Sequence, residues 1–271
     1  MTKHAPARYD SVAGLRASVG DVVALVETLT PDEWKLPSAC AGWRVQDLVV
    51  HLTQGIEFGL RELNPDRLSL ADDIEQLNEI VVSARRDWSS QQVRDAFLTS
   101  AGPGLEALVD LVDPPRCDEE YSMGSAGRHR LAVIPAAVCF DFTVHLHYDL
   151  RQPRGPLARP GYELDAVRLG PTLDWMFAGL NAMSGPAVAH ALSAPITLAL
   201  DGPGARSITF SVGSDPDRPV TQSGVASATV VSSTTRDFVG WSTRRRPWEG
   251  AVSIDGDAEH AYRFLRALHI F

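Results

Sequence analysis

Cysteine is scarce. The chain has three, Cys40, Cys117 and Cys139, with no C-x-x-C pair among them. An odd, widely spaced set supplies neither a disulfide framework nor a cysteine-rich zinc site, and fits a reducing, cytoplasmic setting. Basic charge is also short: 25 Lys and Arg against 34 Asp and Glu leave a net charge of −9. Such a chain repels phosphate backbones and anionic lipid, which argues against nucleic-acid and membrane partners. No uninterrupted apolar run approaches the ~20 residues that span a bilayer. Behind Met1-Thr2-Lys3-His4-Ala5-Pro6 there is no apolar segment of the secretory kind. Common active-site fingerprints are missing as well. The Gly-Pro-Gly passages beginning at Gly102 and Gly202 end on Ala107 and Ser207 where a dinucleotide loop needs a third glycine. There is no phosphate-binding P-loop, no G-x-S-x-G elbow and no H-E-x-x-H helix, which weighs against nucleotide binding, α/β-hydrolase chemistry and thermolysin-like proteolysis.

What remains is an ordinary globular mixture, 44% hydrophobic and 22% charged over 271 residues, long enough for two domains. The first half reads as helices. Val12, Leu15, Val19, Val22, Val23 and Val26 form one apolar stripe. Thr30-Pro31-Asp32-Glu33 is a start signal for a short turn. Val45, Leu48, Val49, Leu52 and Ile56 repeat the stripe over 44–62, and 71–88 and 90–112 are further helical runs. Ser89 or Ser90 caps the second of these, and Gly102-Pro103-Gly104 is expected to kink or split it. From Val138 to Leu150 apolar and polar residues alternate, as in a strand, yet the stretch is long for one and Pro135 leads in like a first helical turn. Helix is the favoured reading. Residues 152–161 hold three prolines and two glycines and read as a linker. Beyond it come a helix over 164–183 and short β-rich runs at 196–200, 207–212 and 228–231. A helix over 235–243, a strand at 251–254 and a final helix capped by Asp255 or Asp257 complete the chain. The expected division is a helical domain over 1–152 and an α+β domain over 160–271.

The residues with chemical potential are histidines and aspartates. His51 lies beside the apolar stripe of the second helix. Asp141 and His145, four apart, share one face of the last helix of the first half. Two nitrogens and one carboxylate oxygen from two helices suit a zinc-type site with an open position. Spacing alone equally allows an edge histidine and a helix-surface ion pair. On the strand reading His147 and Asp149 become alternative ligands.

Trp34 and the run Cys40-Ala41-Gly42-Trp43-Arg44-Val45-Gln46-Asp47-Leu48-Val49-Val50-His51-Leu52 resemble the N-terminal signature of the mycothiol-dependent maleylpyruvate isomerase family, within the DinB-like metalloproteins. The resemblance implies a DinB-like four-helix bundle in which His51, Asp141 and His145 hold a divalent metal, normally zinc. The family usually has glutamate where this chain has Asp141. It also carries His-x-x-Asp beyond the ligand helix, whereas Asp149 lies four after His145. Asp237-Phe238-Val239-Gly240-Trp241-Ser242-Thr243-Arg244 and Val252-Ser253-Ile254-Asp255-Gly256-Asp257 are similar to the SCP2-like α+β domain that often follows the bundle. Here Thr243 replaces a glycine.

The function implied is a thiol-dependent isomerase or S-transferase. It would use zinc and mycothiol on a small, electrophilic, acidic substrate. Asn78 with Arg85 or Arg86, and Arg244 in the basic run Arg244-Arg245-Arg246, are the candidate substrate-side groups; Arg86 and Arg244 are the ones assigned a catalytic role. Two other readings stay open: a metal-dependent hydrolase or cyclase that needs no thiol, and a non-catalytic ligand-binding protein with a vestigial metal site. Trp43 is expected to anchor the bundle core and Cys40 to be a small packed thiol.

Overall fold

The computed structural model describes residues 8–60 and 73–270. The first six residues, and residues 61–62 and 71–72 at the ends of two expected helices, lie outside the described residues. Two compact units, Met1–Trp175 and Met176–Phe271, make up the chain.

In the first unit α1 (Arg8–Thr28), α2 (Val45–Leu60), α4 (Ser90–Asp110) and α5 (Ile134–Val144) pack as a four-helix bundle. The stripes read from the sequence are its core. Leu15, Val19, Val22 and Val26 of α1 meet Leu48, Val49, Leu52 and Ile56 of α2, with Phe97 and Leu108 of α4 and Phe142 of α5. The helix starts are set by local hydrogen bonds. Asp73 accepts the Glu75 N–H at 3.0 Å to begin α3 (Ile74–Ala84), which packs on α2. Ser89 and Gln92 form a reciprocal capping box at α4. Thr30 and Glu33 do the same for a single 3-10 turn, Glu33–Lys35, that buries Trp34. A short hairpin, β1 (Glu120–Ser122) with β2 (Arg128–Arg130), leads into α5.

Two sequence expectations change here. Gly102-Pro103-Gly104 does not split α4, which runs unbroken through Pro103. The glycine serves packing. A β-carbon on Gly104 would stand 2.4 Å from Ile56 Cγ2 and 2.6 Å from the Ile56 carbonyl, and one on Gly59 would stand 2.9 Å from the Gly104 carbonyl. The backbones of α2 and α4 therefore cross at glycines, where side chains would hold them apart. The second change concerns apolar length. Leu131–Leu150 is one helical stretch long and apolar enough to cross a membrane, with a mean hydropathy of 1.4, but 67% of it is buried inside the protein. Its apolarity is that of a bundle's central helix.

The ambiguous stretch is thus helix. It changes type midway, as α5 passes into a π-helical turn, His145–Leu150. The chain then folds back through residues 151–157. Arg151 N–H donates to Leu146 O, Gly155 N–H to Arg151 O and Leu157 N–H to Leu150 O. The proline-rich stretch lies inside the first unit, and the division between units falls within α6 (Ala166–Met183). Arg168 of α6 ties that helix to α1 by two hydrogen bonds to Asp21, at 2.6 and 2.9 Å.

The second unit contains α7 (Gly185–Ala191), β3 (Ile196–Asp201), β4 (Arg206–Asp215), β5 (Arg218–Ser223), β6 (Thr229–Thr234), α8 (Thr235–Ser242), β7 (Val252–Asp255) and α9 (Ala258–Ala267). The sheet order is β5-β4-β3-β6-β7, with β3 and β6 parallel and the other pairs antiparallel. Phe177, Phe210, Phe238 and Phe264 stack in its core. The sequence reading has no counterpart to β5. It is a polar edge strand with Pro219 and a single buried residue, Val220, and so carries no alternation to detect.

The crossing of α2 and α4 has a direct test. Gly104→Ala should destabilise the protein by about 1–3 kcal/mol through overpacking, while Gly102→Ala, which meets nothing within 4 Å, should leave it unchanged or slightly more stable. Urea unfolding of the two variants separates them.

Candidate metal centre

The signature run builds one wall of the site. Asp47 accepts from the Arg44 N–H at 2.8 Å and from the Arg44 guanidinium at 2.9 Å through each of two nitrogens. It thereby closes the open first turn of α2 while its own carboxylate is buried. Burial alone would raise the Asp47 carboxyl, but the Arg44 guanidinium and N–H outweigh it and hold the group below its ordinary value. With this turn fixed, His51 is carried to the inner face of α2, 6% exposed.

Opposite it, α5 presents Asp141 and the π turn begins with His145. His51 Nε2 lies 3.3 Å from Asp141 Oδ2. The His51 and His145 rings meet edge to face at 5.0 Å. One donor atom from each of His51, Asp141 and His145 falls within 4.8 Å of the others. Two ligands bound tetrahedrally at about 2.0–2.1 Å stand roughly 3.3 Å apart, which is the His51–Asp141 separation. The side chain of Asp141 thus reaches His51 at ligand spacing. His51 Nδ1 and, three residues on, Gln54 Oε1 are buried with no hydrogen-bond partner among the described residues. On donor type and spacing, the site fits a divalent cation.

His145 is oriented from behind. Its Nδ1 bonds Asp149 Oδ2 at 2.9 Å, and a proton held there leaves the Nε2 lone pair for a metal. Burial pushes the His145 imidazole below its ordinary value, against the opposing pull of Asp149, so the ring is neutral at pH 7, as a ligand must be. Residues four apart share one helical face, so Asp149 reaches His145 from four positions away, within the π turn. A second donor group, Cys40, His145 and Asp149, shares this histidine, with Cys40 Sγ 3.8 Å from His145 Nδ1. It is the poorer cation site, because the Asp149 oxygens already face His145 and the Arg154 guanidinium.

Three other sequence candidates have different surroundings. His147 Nδ1 lies 3.3 Å from the Arg151 guanidinium and is outside both donor groups. Cys139 is fully buried, its thiol pushed up to about 11 by burial. Trp43 is half-buried and packs against the bundle core. Its ring lies 5.4 Å from that of His51 and its indole N–H donates to Glu79 Oε2 at 2.8 Å. Arg86 joins this arrangement, donating to Glu79 Oε1 at 2.7 Å and to the Gly42 carbonyl at 3.4 Å. Arg85 is paired with Glu57 at 3.0 Å. In the second unit, Arg244 follows α8 with a φ of +55°. It lines a cavity of about 540 Å³ with Arg245, Arg246 and Arg266 and the indoles of Trp241 and Trp248. The sequence reading passed over the support given by Asp149 and Arg154, and the Trp43–Glu79 contact. The four-residue spacing of Asp149 was visible, whereas nothing local marks Arg154 or Glu79.

These features define a helical bundle with an interior His-Asp-His donor set, followed by an α+β unit. Residues 15–151 match the family model of the mycothiol maleylpyruvate isomerase N-terminal domain, and the chain belongs to the mycothiol-dependent maleylpyruvate isomerase family. A crystal structure of the mycothiol-dependent maleylpyruvate isomerase shares its fold, with a TM-score of 0.59 at 12% identity over 94% of this chain and 95% of that one. A form of that enzyme with one histidine replaced by alanine gives a TM-score of 0.58 at 13% identity over the same shares. No curated protein matches.

Two expectations follow from this geometry. Because the folded-state value of Asp47 is depressed, its contribution is complete above the unfolded-state value near ~3.9 and is lost as pH falls through the folded value. Asp47→Asn should cost about 1–3 kcal/mol at pH 7, and the gap to the parent should close on acidification below about pH 4 in pH-dependent urea unfolding. The ligand assignment predicts that His51→Ala and His145→Ala lose bound metal in elemental analysis while His147→Ala keeps it. Equal loss from His147→Ala would contradict the assignment.

Proposed function

We propose that the chain is a metalloenzyme that uses a low-molecular-weight thiol to isomerise, or to transfer sulfur to, a small electrophilic acidic substrate. The observation that carries this reading is the His51-Asp141-His145 donor set with Asp149 behind it. The three side chains would hold a divalent ion, zinc by donor type. Two neutral histidines and one carboxylate leave the site a formal charge of +1. Such an ion supplies the Lewis acidity that keeps a thiol in its thiolate form near neutral pH. Mycothiol is the thiol named by the family. Asp149 retains the proton on His145 Nδ1 throughout, so the ring stays a neutral ligand. Trp43 shields the His51 edge from water, with Glu79 fixing its indole.

A bound thiolate would supply a nucleophile that adds reversibly to one end of the substrate's C=C bond, the π pair passing to the conjugated carbonyl oxygen; rotation about the resulting single bond and return of that pair with loss of the thiolate would give the other isomer. S-transfer results where the adduct is kept. Arg86, in the first unit, and Arg244, in the second, are each kept by itself as a candidate carboxylate-binding group. Arg244 makes no ion pair among the described residues, whereas Arg86 shares its charge with Glu79. We read the second unit as the SCP2-like domain, the functional division as 1–152 and 160–271, and the location as cytoplasmic. Among the described residues the three cysteines form no disulfide, in keeping with a reducing compartment.

The test is turnover of a maleylpyruvate-type substrate by native protein, with and without mycothiol and after chelation. Activity should require both metal and thiol. Activity that needs metal but no thiol would favour the hydrolase or cyclase reading. Full activity in metal-free protein would overturn the proposal. Metal without any turnover would favour a binding protein.

A further inference from the structure

The loop that follows the π turn delivers a cation to the back of the metal centre. Asp149 has no solvent exposure, and a buried carboxylate must be neutralised. Its Oδ2 meets His145 Nδ1 and its Oδ1 meets the Arg154 guanidinium. Arg154 comes from the proline-rich stretch that reads, in sequence, as a passive linker. Its other nitrogen donates to the Ala39 carbonyl at 3.2 Å, and the Ala39 N–H donates to the Asp149 carbonyl at 3.0 Å. One guanidinium thus joins the loop before α2, which carries Cys40, to the carboxylate that orients His145.

The backbone is shaped to allow this. Gly155 sits so close to the π turn that a β-carbon there would lie 2.3 Å from Leu150 C and 2.5 Å from Leu150 O. Only a glycine lets the loop press against the helix end and turn Arg154 back toward Asp149.

We propose that Arg154 is a positioning residue of the metal centre, acting through Asp149 on His145. It holds Asp149 aimed at Nδ1, which fixes the tautomer and the direction of the ligating nitrogen. Without it, the Asp149 carboxylate would lose the contact that fixes its orientation, and His145 would lose its fixed acceptor. The inference rests on the metal reading above.

The experiment compares zinc affinity, by chelator competition, in the intact protein and in Arg154→Gln, Arg154→Lys and Arg159→Gln variants. Arg159 is the control: it stands on the same loop-back segment and pairs with Glu33 at 2.6 Å, remote from Asp149 in the bonding network. Cobalt substitution gives a second readout, since its visible bands report ligand geometry. Arg154→Gln should weaken zinc binding about tenfold, the lower end of the effect of losing a metal ligand's hydrogen-bond partner, and should alter the cobalt bands. Arg154→Lys, which keeps the charge but cannot reach both acceptors, should recover part of the affinity. Arg159→Gln should bind zinc as the parent does. Unchanged affinity and bands in Arg154→Gln would overturn the inference, as would equal losses in Arg154→Gln and Arg159→Gln. If Arg154→Gln does not fold, Arg154→Lys decides: parent-like affinity and bands overturn the inference, and a partial loss supports it. If the parent itself takes up no zinc, it is the metal reading that fails, and that failure is seen before any variant is compared.

Discussion

A carboxylate with no access to water has to find positive charge or hydrogen-bond donors inside the protein, and Asp149 imposes that requirement on one end of the bundle. Its two oxygens recruit His145 from its own helix and Arg154 from the returning chain. The backbone answers with a π turn in place of an α turn and with a glycine where the loop touches the helix. Orientation of His145, closure of the 151–157 loop and placement of the Ala39–Cys40 segment are consequences of one buried charge. Buried ion pairs are weak sources of net stability but strong sources of specific geometry, and geometry is what a ligand histidine needs.

The opposite wall is arranged by the same kind of economy at α2. Asp47 closes the first turn and binds Arg44, Arg44 reaches the carbonyl of Arg86 at 3.1 Å, and Arg86 reaches Glu79, which holds Trp43 against His51. The signature run is therefore mostly scaffold. Of its residues His51 alone belongs to the His-Asp-His donor set, and its neighbours fix the helix start that carries it. The glycine crossing of α2 and α4 then sets how near the two helices lie. The placement of His51 in the donor set rests on a capped helix end and a close backbone contact.

The second unit follows different rules. A mixed sheet packs its apolar face on a stack of phenylalanines, and the chain leaves α8 through Arg244 in a left-handed conformation that ordinarily suits glycine. Three consecutive arginines then stand around a cavity with two indoles, in a protein whose overall charge is negative. Local positive potential of this kind survives an acidic net charge because screening confines each field to about 10 Å.

Much of the arrangement was legible in the amino-acid order, for a physical reason in each case. Apolar stripes at helical spacing mark α1 and α2 because burial follows periodicity. Ser89 and Thr30 mark helix starts because caps satisfy backbone groups locally, and Asp141 with His145 mark one face because four residues make about one turn. The resemblance carried by Gly42 to His51 completed the donor set. Other features depended on partners far along the chain. Arg154 and Asp149 share one network with Ala39, Glu79 reaches back to Trp43, and Gly104 is a packing residue because Ile56 lies against it. The sequence by itself determined which segments are helices, where they begin and which side chains can ligate. Tertiary structure decided which of these meet and what stands behind each ligand, because contacts between distant residues leave no period or motif to read.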